Sequence, residues 1–429
     1  MTELRALDPN LCDLDLIDGN GATDETPAES PGLGYVTYGE TGQRVSRLGL
    51  GAMRLPRRPD EGRLGGLSQQ LRRYSAGAAN RAFRALRLPQ RVHSIDLEAA
   101  VALIRHALAC GVNLLDTASL YYGSEEAIGL ATADIDRAAF CLQTKIPLRK
   151  DGRPGTVRRQ IEHALQRLRT HYIDVLLVHD LREEDANGRL QLFLLDARQA
   201  QGEELVRHIG FSSHDTPAAV TRLIDTAEFD CVLLQYNLLD RRYAGPIADA
   251  HARGMGVAIM GPLAGGRILR PADAAPLPGP NGERAGAVAP ALRFALANPY
   301  VHSVLSGVST IEQLDENLAI AADRRPLSEG EINRIEYEAS AVWPIADLYC
   351  TGCGYCMPCP NGVNIAEILR LAQRRLLYGM GDRVREDYQR LIDTGQGLEQ
   401  CIACRQCEAK CPQQLPLLQK LRKCRSLLT

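Results

Sequence analysis

The chain has no excess of charge of either sign: 50 Lys and Arg face 52 Asp and Glu, for a formal net charge of −2. That balance argues against nucleic acid as a bulk partner, because gripping a phosphate backbone takes a cationic surface. No apolar run approaches the ~18 residues that a membrane span requires. The opening residues, Met1-Thr-Glu-Leu-Arg-Ala-Leu-Asp, lack a basic stretch followed by an apolar core. Neither a secretion signal nor a membrane contact is expected, and a cytoplasmic location follows. At 429 residues, 45% of them hydrophobic, the chain can still bury a large core and form more than one domain.

What the chain does have is cysteine. Eight of its 13 cysteines fall in two tight groups after residue 349. In a reducing compartment such groups point to metal or redox chemistry rather than disulfides. Cys110, Cys141 and Cys231 sit in apolar strand or helix patterns and read as small buried hydrophobes. Cys12 and Cys424 lie outside both motifs.

Residues 1–34 are rich in Asp, Glu, Gly, Pro and Ser and read as a disordered acidic arm. Tyr35 to Ser46 alternates around Gly-Glu-Thr-Gly, a hairpin pattern. A repeating unit follows. Strands are predicted at Arg47–Gly51, Val112–Ala118, Phe140–Ile146, Tyr172–His179, His208–Ser212, Cys231–Asn237, Gly256–Gly261 and Ser303–Gly307. Amphipathic helices are predicted at Leu97–Cys110, Glu125–Thr132, Val157–Thr170, Arg189–Arg207, Pro217–Thr226, Tyr243–Arg253, Ala285–Asn298 and Ile311–Ala322. Eight strands alternating with eight helices indicate an α/β fold, a closed (β/α)8 TIM barrel over residues 35–327. Residues 55–94 form an Arg-rich insertion, read as a surface loop or, alternatively, as a basic docking surface or substrate lid. Residues 263–286, rich in Pro, Ala and Gly, form a second loop on the same face. Ser328 and Glu331 make a capping box for a linker helix over 328–344, which Trp343-Pro344 ends. The remainder, 345–429, is the cysteine-bearing domain.

Chemistry gathers at strand ends. The apolar run Val112–Leu115 stops at Asp116, and Tyr121 lies on the following loop. The next two strands end in Lys145 and His179. Alone, an Asp or Lys at a strand end reads as a structural ion pair, and His179 as a satisfied buried histidine. Together at the carboxyl ends of successive strands they read as an active site. A phenol is a poor acid at neutral pH, with a reference pKa near ~10. A lysine ammonium nearby would favour the phenolate, and Asp116 would keep that lysine charged and placed. Tyr122 competes with Tyr121 for the role of acid and is read as pocket lining.

In that order Asp116, Tyr121, Lys145 and His179 resemble the catalytic tetrad of the aldo-keto reductases. Gly49-Leu-Gly-Ala-Met-Arg, Gly210-Phe-Ser-Ser, Gln235-Tyr-Asn and Glu312-Gln-Leu-Asp-Glu-Asn317 resemble the same family, and the likeness spans about residues 35–325. It implies a nicotinamide nucleotide, NADP(H) or NAD(H), lying across the barrel mouth without a Gly-rich Rossmann loop. It also implies that Ser212, Ser213 and Gln235 hold the nicotinamide amide and that Pro262, Leu263 and Gly265 line the pyrophosphate loop. Ser309, Gln313, Glu316 and Asn317 would meet the adenosine end. Met260 stands where many members have a ring-stacking Tyr, and Gly307 and Gln313 where many have Lys and Arg around a 2′-phosphate. His179 would orient a substrate carbonyl.

Cys350-Thr-Gly-Cys353-Gly-Tyr-Cys356-Met-Pro-Cys359 and Cys401-Ile-Ala-Cys404-Arg-Gln-Cys407-Glu-Ala-Lys-Cys411 are each followed by proline. Three thiolates at every third position can bind three irons of one cubane, and a remote fourth completes the other cluster. Two [4Fe–4S] clusters with crossed ligation are expected: Cys350, Cys353, Cys356 and Cys411 hold one; Cys401, Cys404, Cys407 and Cys359 hold the other. Zinc is the alternative, although zinc sites pair two C-x2-C units and need no closing Cys-Pro. Helical patterns at Ile365–Leu377 and Asp382–Ile392 make the tail resemble helical two-cluster ferredoxin domains, and a branch of the aldo-keto reductases carries such a tail.

The expected activity is NAD(P)H-linked reduction of a small-molecule carbonyl, an aldehyde or ketone, with Tyr121 as proton donor and an iron–sulfur electron-transfer module attached. A ferredoxin or another redox protein is the macromolecular partner this would fit. The alternative is a redox sensor or electron-transfer protein whose barrel is not an independent carbonyl reductase.

Overall fold

The computed structural model describes residues 32–58, 95–148, 153–186, 188–238, 240–265, 288–323, 325, 327–331, 333, 348, 350, 354–378 and 381–428. Most of the acidic arm, the Arg-rich insertion from residue 59 onward, the loop 266–287, the linker helix beyond residue 333, Cys12 and Cys353 lie outside the described residues.

The hairpin forms where the alternation placed it. Strands β1 (Tyr35–Thr37) and β2 (Arg44–Ser46) pair antiparallel, with a 3-10 turn at Gly39–Thr41 between them. Eight parallel strands then close a barrel: β3 (Leu48–Gly51), β4 (Leu114–Asp116), β5 (Cys141–Pro147), β6 (Ile173–His179), β7 (Val206–Ser213), β8 (Cys231–Gln235), β9 (Gly256–Met260) and β10 (Ser303–Ser306). The last strand closes the ring by pairing with the first, Val304 opposite Leu48 and Leu305 opposite Gly49.

Period-two alternation gives each strand two buried faces. On β6, Val175 and Leu177 point into the barrel with Leu114, Cys141, Cys231 and Leu233, whereas Leu176 and Val178 pack outward beneath the helices. Because both faces are covered, the strands read as unbroken apolar runs rather than as alternation. Tyr38 of the hairpin is fully buried in the interior cluster and packs against Gly256 at the start of β9, so the hairpin stoppers the end of the barrel opposite the strand carboxyl ends.

Helices fill the outer layer, and their starts carry side-chain caps. Asp96 accepts from Ala99 N–H ahead of Leu97–Ala109, Thr216 from Ala219 N–H ahead of Pro217–Asp225, and Thr310 from Gln313 N–H ahead of Ile311–Ala322. The helix predicted over Arg189–Arg207 ends at Gly202. Val206 is drawn into β7 by pairing with Ile173, and Glu204 adopts a left-handed backbone in the turn between. The capping box is present: Ser328 N–H donates to Glu331 Oε2 at 2.8 Å and Glu331 N–H to Ser328 Oγ at 3.3 Å.

The tail has its own core. Helices Ile365–Tyr378 and Gly381–Asp393 match the two helical patterns, and a further helix, Leu417–Leu428, was not anticipated. Leu348, Ile368, Leu369, Leu371, Val384, Leu417 and Leu421 pack there around the buried thiols of Cys350, Cys356 and Cys424.

Candidate active site

Asp116, Lys145 and His179 end three consecutive strands or lie near their ends, with Asp116 opposite Gln143 and His179 opposite Pro147. Lys145 is 1% exposed and Asp116 4%. Burial of that depth demands a partner, and the ammonium has three. Lys145 Nζ donates to both Asp116 carboxylate oxygens at 2.6 Å and to the Thr117 carbonyl at 2.7 Å. Burial pushes the Lys145 ammonium down from its usual range, while Asp116 and Glu125 pull it back up. Gln143 Nε2 donates to Asp116 Oδ1 at 2.7 Å, and Tyr38 Oη donates to Gln143 Oε1 at 3.2 Å. A hydrogen-bonded relay thus runs through the barrel interior from the hairpin to the lysine.

Tyr121 lies over this pair. Its ring centroid is 5.0 Å from Lys145 Nζ and 5.8 Å from the His179 ring, which meets it edge-on at 89°. Tyr122 points outward, 60% exposed. His179 is held neutral, its pKa pushed down to about 3 by burial first and then by Lys145 and His214. Its Nδ1 is buried with no hydrogen-bond partner among the described residues. An imidazole with an unsatisfied nitrogen at a mouth is suited to bond a ligand.

The residues expected around a nucleotide fall into two kinds. Gln235, 3% exposed, presents its amide to the mouth, with Nε2 donating to Asp240 Oδ2 at 2.7 Å. Ser212 and Ser213 are instead engaged with loops: Asp180 N–H donates to Ser212 Oγ at 3.0 Å, and Ser213 Oγ donates to Leu181 O at 2.7 Å. At the far end, Asn317 is buried and donates to Ser306 Oγ at 2.8 Å. Ser309 Oγ donates to Arg54 O at 2.7 Å, and Gln313 Oε1 accepts from Ser309 N–H at 3.0 Å, while Glu316 is exposed. Arg54 packs over Gly307, where an added Cβ would come within 3.3 Å of its side chain. Pro262, Leu263 and Gly265 form the turn after β9, with Pro262 buried and the other two half-buried.

In the tail, Cys359 shares one small cavity with Cys356, Cys401, Cys404 and Cys407. Two cysteines of the first motif therefore share a cavity with three of the four in the second. Among the described residues no three Cys, His, Asp or Glu converge as ligands of a single ion would. Cysteine thiolates are the donors that an iron–sulfur cubane takes, and that chemistry is what this lining offers. Cys411 lies elsewhere, in the wall of a cleft of about 810 Å³ between tail and barrel mouth, with His179, Asp180, His214, Tyr355 and Lys410. Gln143, His214, Asp240 and Gln413 had no role in the sequence reading. Gln143 alone carried a signal, lying two residues before Lys145 and so on the same face of β5.

A model of the aldo/keto reductase family matches residues 85–286, and one of a 4Fe-4S dicluster domain matches residues 349–415. The uncharacterised oxidoreductase YqkF of Bacillus subtilis is 30% identical over 273 residues, 55% of this chain and 86% of the relative. L-galactose dehydrogenase of Arabidopsis thaliana is 26% identical over 276 residues, 57% of this chain and 86% of that protein. Among solved structures, the holo form of aldo-keto reductase AKR11C1 from Bacillus halodurans superposes with a TM-score of 0.55 at 22% identity, over 72% of this chain and 96% of that one. An aldo/keto reductase from Klebsiella pneumoniae in complex with NADP and acetate gives 0.52 at 22% identity, over 71% and 94%. These two likenesses show the barrel fold. With its eight-stranded barrel and its match to nearly the whole length of YqkF, this oxidoreductase belongs to the aldo/keto reductase family and carries an iron–sulfur domain behind the barrel.

Proposed function

We propose that the chain reduces an aldehyde or ketone with NAD(P)H, Tyr121 giving the proton, and that its tail holds two [4Fe–4S] clusters. The observation that carries this reading is the buried Lys145, clamped by Asp116 and lying 5.0 Å from the centre of the Tyr121 ring. When bound, the nicotinamide supplies a hydride to the carbonyl carbon, and the clusters supply single electrons. The chain's own residues handle the proton. The Tyr121 O–H bond breaks as a new O–H bond forms on the substrate oxygen, and the Lys145 ammonium stabilises the phenolate left behind. Asp116 positions the ammonium and offsets the cost of burying it. Neutral His179 donates one ring N–H to the substrate oxygen and orients it.

Gln235 would hold the nicotinamide amide, with Ser212 and Ser213 shaping the loops beside it. Pro262, Leu263 and Gly265 would border the pyrophosphate. Ser309, Gln313 and Arg54 would face the adenosine end, with Asn317 fixing that helix to β10 and Glu316 at its rim. Cys401, Cys404, Cys407 and Cys359 would bind one cluster and Cys350, Cys353, Cys356 and Cys411 the other. The domain limits proposed above, with the barrel at 35–327 and the cluster domain at 345–429, fit this division of labour.

Anaerobically purified protein, given NADPH or NADH with a panel of aldehydes and ketones, should oxidise the nucleotide. Tyr121→Phe should lower kcat by about 10²–10⁴-fold, the scale of a lost general acid, with little change in nucleotide affinity. Wild-type turnover in Tyr121→Phe would remove Tyr121 from the mechanism. The second reading, an electron-transfer protein whose barrel is not an independent reductase, is favoured by one observation: the tail segment at Pro412 and Gln413 sits on the barrel mouth.

A further inference from the structure

Three hydrogen bonds meet on the side-chain amide of Gln413, which is 6% exposed. Its Nε2 donates to Gln235 Oε1 at 3.1 Å and to His214 Nδ1 at 2.7 Å, and its Oε1 accepts from Arg242 Nη2 at 2.7 Å. The amide nitrogen can only donate, so His214 Nδ1 is the acceptor. Burial first, then Arg242 and Arg182, push its pKa down to about 3, so the ring is neutral and Nδ1 can offer a lone pair. Gln235 is fixed in turn, because its Nε2 is committed to Asp240. Next to Gln413, the buried Pro412 has its carbonyl capped by Arg182 Nη2 at 3.1 Å. The segment follows Cys411 directly, so a cluster motif of the tail runs into the mouth of the barrel.

A nicotinamide ring carries the same functional group, a primary carboxamide with two N–H donors and one carbonyl acceptor. We propose that Gln413 stands in for that carboxamide, so that the docked tail and a nicotinamide nucleotide compete for one amide subsite at Gln235. The proposal rests on the reading that the barrel binds NAD(P)H through Gln235. The side chain at 3.1 Å from Gln235 Oε1 fills the volume that an incoming amide would need. Nucleotide then binds only the fraction of molecules whose tail is lifted, and its apparent affinity falls by that fraction. Linkage makes the effect reciprocal: bound nucleotide holds the Cys411–Gln413 segment off the mouth.

The test uses the full-length protein with its clusters. Binding of NADPH and of NADH is followed by calorimetry, and hydrogen exchange is read in peptides spanning residues 406–418. Gln413→Ala, and independently Arg182→Ala, should tighten nucleotide binding roughly tenfold. Saturating nucleotide should raise exchange across 406–418 in the wild type. Arg182→Ala loosens the same segment through the Pro412 carbonyl, so a folding defect in one variant leaves the other to decide. Equal affinity in wild type and variants, with exchange across 406–418 unchanged by nucleotide, would overturn the proposal while leaving the nucleotide reading intact. Absence of any binding heat in all three proteins would overturn that reading, and the proposal with it.

Discussion

Lys145 shows what a single side chain can impose on a site. Its ammonium is almost fully buried, and both Asp116 oxygens and the Thr117 carbonyl accept hydrogen bonds from it. The same ammonium lies 5.0 Å from the centre of the Tyr121 ring, close enough for its charge to act on that phenol. Asp116, Lys145 and His179 were legible because each interrupts or ends an apolar run, a local property of the sequence. The choice of Tyr121 over Tyr122 was legible only through family likeness, and the structure adds a physical difference between them: one ring meets His179 edge-on, and the other faces solvent.

The histidines give a prediction at the same scale. His179 and His214 are pushed down to about 3 and His302 to about 4, each chiefly by burial. In the unfolded chain each would titrate near ~6.5. Below that pH the unfolded state binds protons that the folded state refuses, so stability falls with acid by up to ~1.4 kcal/mol per pH unit for each histidine and levels off near the folded values. Above about pH 7 these groups contribute no slope. A denaturant midpoint that falls between about pH 6 and 4, and falls less steeply in His302→Gln, is the expected record. An unchanged midpoint over that acid range would show that the rings charge freely in the fold.

At the scale of elements, helix Ser124–Ala131 connects loop chemistry to packing. It begins just after Gly123, whose left-handed φ of 85° releases the chain from the Tyr121 loop. Glu125 is buried and accepts from Thr144 Oγ1 at 2.8 Å, with Arg167 on its other oxygen, which fixes the helix behind β5. Gly129 lets it approach the next helix closely, since an added Cβ would lie 2.4 Å from Arg167 O. Gly129→Ala should therefore destabilise the barrel by about 1–3 kcal/mol despite alanine's better helix propensity, because backbone rather than a flexible side chain must move. A Tm equal to or above wild type would show that the two helices can separate at no cost. Strand existence was read correctly along the barrel, whereas ends slipped where pairing overrode local preference, as at Gly202 to Val206. Helix Leu417–Leu428 escaped because its Lys and Arg residues dilute the apolar pattern. Leu417, Leu421, Cys424 and Leu428 nevertheless lie on the face that the tail core covers.

At the scale of the molecule, two cores are joined by a polar seam over the barrel mouth. The barrel core is mostly aliphatic and aromatic, whereas motif cysteines Cys350 and Cys356 are buried in the much smaller tail core, so the tail's packing depends on what those thiols hold. Removing the iron anaerobically with a chelator should cost the tail helices their circular dichroism signal and their resistance to protease, leaving the barrel transition in place. Retention of both by iron-free protein would mean that the aliphatic residues alone suffice to fold the tail.

The barrel, its order of strands, the residues at its mouth and the cysteine motifs were all determined by the sequence, since each is written in a window of a few to a few dozen residues. Periodicity reports which faces are buried, and motif spacing reports which thiols can share a cluster. Where the tail sits was decided only in three dimensions. Gln413 is 178 residues from Gln235 and 199 from His214, and Arg182 is 230 from Pro412. No local pattern encodes contacts of that span. They arise because the surfaces of barrel and tail offer complementary donors and acceptors, and a single glutamine, two residues after Cys411 in the tail, bonds to Gln235 at the barrel's candidate nucleotide site.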